Sequence, residues 1–182
     1  MLKDKVAVVT GGGRGIGRAI TLAYAREGAD LVLAARSIEA LTETKAAVES
    51  LGRKALVVPT DVLHEESVHN LVEQALSHFG RVDVLVNNSG IGGPTAPLWE
   101  ITPADWQETF AVNVTGVYLC CRALLPGFRQ GNFDNRRRPE RLRWHGDVLI
   151  ERTCTLMEAN LCPGSLTSRK KFTRECMSTQ DI

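Results

Sequence analysis

Along the first two-thirds of the chain, short apolar runs alternate with longer stretches of helical spacing. Val6-Ala7-Val8-Val9-Thr10 is a β-branched run of strand length. Glycines follow it. Residues 14–28 then carry Ile16, Ile20, Ala23 and Tyr24 at the spacing of one helix face. Leu31-Val32-Leu33-Ala34-Ala35 predicts a second buried strand. Ser37 stands where it can N-cap a helix over residues 38–51, which stops at Gly52. Ala55-Leu56-Val57-Val58 predicts a third strand, and Val68, Leu71, Val72, Ala75 and Leu76 the face of a third helix ending at Gly80. Val82-Asp83-Val84-Leu85-Val86 predicts a fourth strand. Thr102-Pro103 opens a long helix, with Thr as cap, Pro in the first turn and Asp105 near the positive end of the helix dipole. It is expected to run through Val117 to Leu125.

Strands that are apolar throughout need cover on both faces, which argues a parallel sheet with helices on either side. Right-handed crossovers lead to an α/β, doubly wound, Rossmann-type sheet with strands one to four clear. The rhythm fades after residue 128. Residues 1–128 hold 11 Lys+Arg against 14 Asp+Glu, while residues 129–182 hold 11 against 7. Hydrophobic residues fall from 61 of 128 to 17 of 54. The expected division is a nucleotide-binding domain over 1–128 and an atypical basic tail over 129–182, whose composition barely offsets its own ordering entropy.

Whole-chain composition excludes several classes. The 182 residues carry a formal net charge of +1, which fits neither a uniformly basic nucleic-acid binder nor an acidic solvating chain. No apolar run approaches the ~20 residues of a membrane span, and the N-terminus lacks a signal-peptide layout. Five cysteines, two of them adjacent (Cys120, Cys121), point to free thiols and a cytoplasmic setting. His64, His69 and His78 belong to the solvated side of the third helix, without metal-ligand spacing. Trp99 and Trp106 are expected to pack or to border a cleft.

The strongest chemical signal is Thr10-Gly11-Gly12-Gly13-Arg14-Gly15-Ile16-Gly17, directly after the first strand and opening a helix. Glycines there permit a tight turn, and let backbone N–H groups approach a pyrophosphate at a helix N-terminus. Together with three later features, the chain resembles the short-chain dehydrogenase/reductase family over residues 1 to about 128. Asp61-Val62 follows strand three, where the family sets an Asp against adenine. Asn87-Asn88-Ser89-Gly90 follows strand four and is similar to the family's Asn-Asn-Ala-Gly. Asn113 stands where the family keeps a tetrad Asn that supports a proton-relay water. The resemblance implies a nicotinamide dinucleotide held by Thr10, Gly11, Gly13, Arg14, Gly15, Ile16, Gly17, Arg36, Ser37, Asp61, Val62, Asn87, Ser89 and Gly90. It also implies a small carbonyl or secondary-alcohol substrate, in the manner of 3-oxoacyl-carrier-protein reductases or polyol dehydrogenases.

An acid ending strand two would bind a ribose 2′-hydroxyl and repel a 2′-phosphate. That place reads Ala34-Ala35-Arg36-Ser37, so NADP(H) is expected over NAD(H), with Arg36 and Arg14 as candidate phosphate partners. The plain alternative is that Arg36 is a solvated strand-end residue.

The family's proton donor is a Tyr with Lys four residues on. Here Tyr24 and Tyr118 are followed at that distance by Gly28 and Arg122, and no Tyr comes after 118. Two tail registers offer partial matches. Gly146-Asp147-Val148-Leu149-Ile150 is similar to a fifth strand, and would put Ser165 and Arg169 near the missing pair. Cys162-Pro163-Gly164-Ser165-Leu166-Thr167-Ser168 is similar to a later Pro-Gly loop. The two conflict, with only 17 positions between Gly146 and Pro163. The Arg136–Arg143 run reads as a solvated stretch. The expectation is therefore a frame-altered or truncated chain that binds nucleotide without turnover. The alternatives are a weak enzyme or an incomplete product. An uncovered fourth strand would be an apolar edge, needing tail residues, a second copy or another protein against it.

Overall fold

The computed structural model describes residues 2–130 and 148–150. β1 (Val6–Thr10), β2 (Asp30–Ala35), β3 (Ala55–Pro59) and β4 (Val84–Asn87) pair in parallel, and a three-residue β5 (Val148–Ile150) lies beside β4. The order β3-β2-β1-β4-β5 puts β1 at the centre. Val8 is in register with Val32 on one side and Leu85 on the other. The tail thus supplies the cover for β4, with Leu85 against Val148 and Asn87 against Ile150. The other tail expectations, Ser165, Arg169, the Cys162–Ser168 loop, the Arg136–Arg143 run and the three tail cysteines, lie outside the described residues.

Two cores form, one on each face of the sheet. Ala7, Val9, Leu31 and Leu33 face α1 (Gly15–Arg26) and α2 (Ile38–Ser50), packing with Leu41 and Val48. Val8, Val32, Val58 and Leu85 face α3 (Glu65–Phe79) and the helix after β4, packing with Val68, Leu71, Cys120 and Leu124. Alternate side chains of each strand serve opposite cores, which is why these strands read as unbroken apolar runs.

The predicted caps are present. Ser37 Oγ accepts the Ala40 N–H at 3.5 Å, and Thr102 Oγ1 accepts that of Asp105 at 3.2 Å. Gly80 ends α3 with φ +73. At the start of β4, Asp83 accepts the Val6 N–H at 2.9 Å and pairs with Lys5 and Arg81. Burial pushes its carboxyl up, but the Arg81 hydrogen bond, the Val6 amide and the two charges outweigh this and hold it below the usual range.

Four expectations need correction. The buried face of α1 is Gly17, Thr21 and Ala25, while Ile16 is exposed and Ile20 and Tyr24 pack at the margin. The helix sits too close to the sheet for large side chains to lie between. Leu76 of α3 is exposed, so the buried set narrows to Val68, Leu71 and Ala75. Trp99 is 85% exposed and packs into nothing; Trp106 stacks on Phe110 with ring centroids 4.4 Å apart. The long helix is three segments: α4 (Pro103–Phe110), a π-helical turn (Ala111–Thr115) and α5 (Gly116–Gln130). Its residues Pro103–Pro126 are long and apolar enough, by length and composition alone, to cross a membrane. Reading uninterrupted runs missed this, because Thr109, Asn113, Thr115 and Arg122 divide the stretch while leaving its average apolar.

Candidate functional site

The glycine turn lies at the carboxyl end of β1, where the chain leaves for β2 on one side and later returns to β4 on the other. Ligands of open α/β sheets bind at such a reversal. A cleft of about 580 Å³ opens there. Its floor is Gly11, Gly13, Arg14, Gly15 and Ile16. One wall is Ala35, Arg36, Ser37 and Ala40. The next is Thr60 to Leu63, and the far wall is Asn88 to Ile91 with Val112.

Backbone geometry explains why the floor is glycine. Gly11 and Gly15 have φ +67 and +54, the left-handed region that favours glycine. A Cβ on Gly15 would meet nothing within 4 Å, so it would project into open cleft. A Cβ on Gly13 would come to 3.0 Å of Ala40 Cβ on α2, and one on Gly17 to 2.2 Å of the Gly11 carbonyl oxygen. Gly15 leaves room for a ligand, whereas Gly13 and Gly17 let chain approach chain. Thr44 ties the turn to α2 by donating to the Gly13 carbonyl at 3.1 Å.

Eleven of the fourteen residues singled out in the sequence line the cleft; Thr10, Gly17 and Asn87 stand behind it. Thr10 Oγ1 accepts the N–H groups of Asn88 and Ser89, each at 3.0 Å, and donates to Val86 O at 3.3 Å. Gly17 packs on Gly11. Asn87 is buried and donates to Cys121 Sγ at 3.5 Å. Burial raises the Cys121 thiol, with the Asn87 bond opposing, and burial then the neighbouring Cys121 push Cys120 up to about 12, so both are poor nucleophiles.

Asn88, the second residue of the Asn87–Gly90 motif, joins the two halves of the site. Its Nδ2 donates to the carbonyls of Thr10 at 3.0 Å and Gly11 at 3.3 Å. Gly116 is a residue that the sequence motifs do not mark. A Cβ there would come within 2.8 Å of Val62 Cγ2, so the glycine lets α5 approach the cleft wall. Its signal was a lone Gly inside a predicted helix.

Asp61 lines the cleft and also makes a local turn, its Oδ1 accepting the Leu63 N–H at 3.0 Å. Arg14 and Arg36 are exposed at the rim, and neither makes an ion pair with another described residue. Asn113 is buried in the π-helical turn. Its Oδ1 accepts the Ile91 N–H and its Nδ2 donates to the Ile91 carbonyl, both at 2.9 Å. Both amide ends are thereby committed to the loop after β4, so the side chain acts as a positioning group for the far wall. Among the described residues no cluster of His, Cys, Asp or Glu is arranged to hold a metal.

A family model described as short chain dehydrogenase matches residues 5–133. Glucose 1-dehydrogenase 2 of Bacillus subtilis (strain 168) is 39% identical over 132 residues, 72% of this chain and 51% of that protein. A 3-ketoacyl-(acyl-carrier-protein) reductase from Brucella melitensis, complexed with NADH, superposes with a TM-score of 0.67 at 37% identity, over 71% of this chain and 52% of that one. An alcohol dehydrogenase from the archaeon Thermococcus sibiricus, complexed with 5-hydroxy-NADP, gives 0.67 at 37% identity, over 70% and 54%. The chain spans about half the length of the curated relatives it matches.

Proposed function

This chain belongs to the short-chain dehydrogenase family, and from that premise we propose that its cleft binds a nicotinamide dinucleotide, NADP(H) in preference to NAD(H), without turning over substrate by the family's Tyr–Lys route. The observation that carries the reading is the open space above Gly15, at the N-terminus of α1 and beside two exposed guanidiniums. The amides of the Gly11–Gly15 turn would hold a pyrophosphate. Arg36 and Arg14 would pair with a 2′-phosphate, which is the basis for preferring NADP(H). Asp61 and Val62 would face the adenine. Ser89, Gly90 and Ile91, braced by Asn113, would border the nicotinamide end.

When bound, the nicotinamide supplies or accepts a hydride; the protein's part is to orient it and move a proton. A Tyr with Lys four residues on is absent from this sequence. Nucleotide binding without carbonyl or alcohol turnover follows. The rival reading, a product that binds no nucleotide by itself, is favoured by the shortness of β5 as cover for β4. The disulfide-free thiols of buried Cys120 and half-buried Cys121 support a cytoplasmic setting. The proposal extends to association of copies in solution, which sedimentation of the purified chain reads directly.

Calorimetric titration with NADPH, and NADH as control, tests the binding. Saturable binding, tighter for NADPH, is the expected result. No heat of binding for either overturns the proposal in favour of its rival.

A further inference from the structure

We propose that Glu39 limits this chain's preference for NADP(H) by competing with the 2′-phosphate for Ser37. This deepens the preceding reading and rests on it. The sequence places no acid at the end of β2, where one would bind a ribose 2′-hydroxyl. The fold supplies one from four positions beyond Ala35. Ser37 caps α2, and the first turn of that helix brings Glu39 back over the cap. Ser37 Oγ donates its single hydrogen to Glu39 Oε2 at 3.0 Å. The same oxygen receives the Ala40 N–H at only 3.5 Å, a long cap. The one hydroxyl donor on this wall of the cleft is therefore already directed at a carboxylate.

That carboxylate is a stable anion. Its own backbone amide and then the Ser37 hydroxyl hold it below the usual range, against a small opposing effect of burial. Glu39 also occupies the first turn of α2, where the helix dipole favours negative charge. A 2′-phosphate arriving beside Arg36 would need the Ser37 hydrogen and would meet a like charge. A 2′-hydroxyl would meet an acceptor for its own hydrogen. Arg36 and Glu39 thus act on the same ribose position with opposite signs. Glu39 reaches the cleft through Ser37, whereas Asp61, the acid that lines the cleft itself, sits on a different wall and is engaged in its turn with Leu63.

The test is the ratio of the dissociation constants for NADH and NADPH, measured by calorimetry on the full chain and on Glu39→Gln. Gln keeps the length and an acceptor for Ser37 while removing the charge. The ratio is expected to rise in favour of NADPH by roughly five- to tenfold, the effect of removing a solvent-screened like charge a few ångströms away. Glu39→Lys is expected to raise it further. An unchanged or lowered ratio in both variants, with both nucleotides still bound, overturns the role of Glu39 and leaves the cleft reading intact. Failure of the unaltered chain to bind either nucleotide overturns both.

Discussion

α1 and the α4–α5 helix border the same cleft but meet the core in opposite ways. α1 turns small residues inward, Gly17, Thr21 and Ala25, and lies close enough that a Cβ on Gly17 would strike the Gly11 carbonyl. The α4–α5 helix pins its inner side with Asn113, Cys120 and Leu124, and carries Trp106, Phe110, Val114 and Tyr118 outward at four-residue spacing. Those four are 48, 42, 43 and 57% exposed. In the first helix contact distance sets residue size. In the second the described core leaves one whole apolar face unused. A helical apolar pattern therefore does not say which face meets the core; the room available decides that.

Changes at the closest contact have the largest expected effect. Gly17→Val forces α1 away from the glycine turn, and is expected to cost about 3 kcal/mol or more in urea unfolding and to abolish NADPH binding. Retention of both would mean that the close approach is not obligatory. Next comes the inner side of the second helix. Asn113→Ala leaves the Ile91 N–H and carbonyl without partners, for an expected loss of about 2 kcal/mol by the same measurement.

Gly15→Ala separates binding from folding. Its Cβ enters empty space, so the stability cost is limited to the left-handed backbone, about 1 kcal/mol. NADPH affinity is expected to fall more than tenfold, because the methyl occupies the ligand's room. Equal losses in stability and binding would erase the distinction drawn between Gly15 and Gly17. The smallest effect belongs to the exposed stripe. Trp106→Ser is expected to change unfolding free energy by no more than about 0.5 kcal/mol. A larger loss would show this face to be covered in solution and would break the contrast between the two helices.

Much of this was legible in sequence because it is local. Ser37, Thr102-Pro103 and Gly80 mark helix ends through hydrogen bonds within four residues, and unbroken Val/Leu runs mark strands buried on both faces. The glycine turn was legible for the same reason, since its backbone φ and its neighbouring helix are set within eight residues. Asn88 was not, because its partners Thr10 and Gly11 lie 78 and 77 positions away. Nor was the π-helical turn at Asn113, whose amide bonds at both ends to the Ile91 backbone 22 positions earlier.

The sequence by itself determined the succession of strands and helices, the doubly wound class and the glycine turn. These depend on residue type and on spacing within a helical turn or a strand. Only the tertiary structure decided which helix faces are buried and that Val148–Ile150 lies beside β4. Each of those depends on how closely two distant segments approach, a distance that no spacing along the chain records.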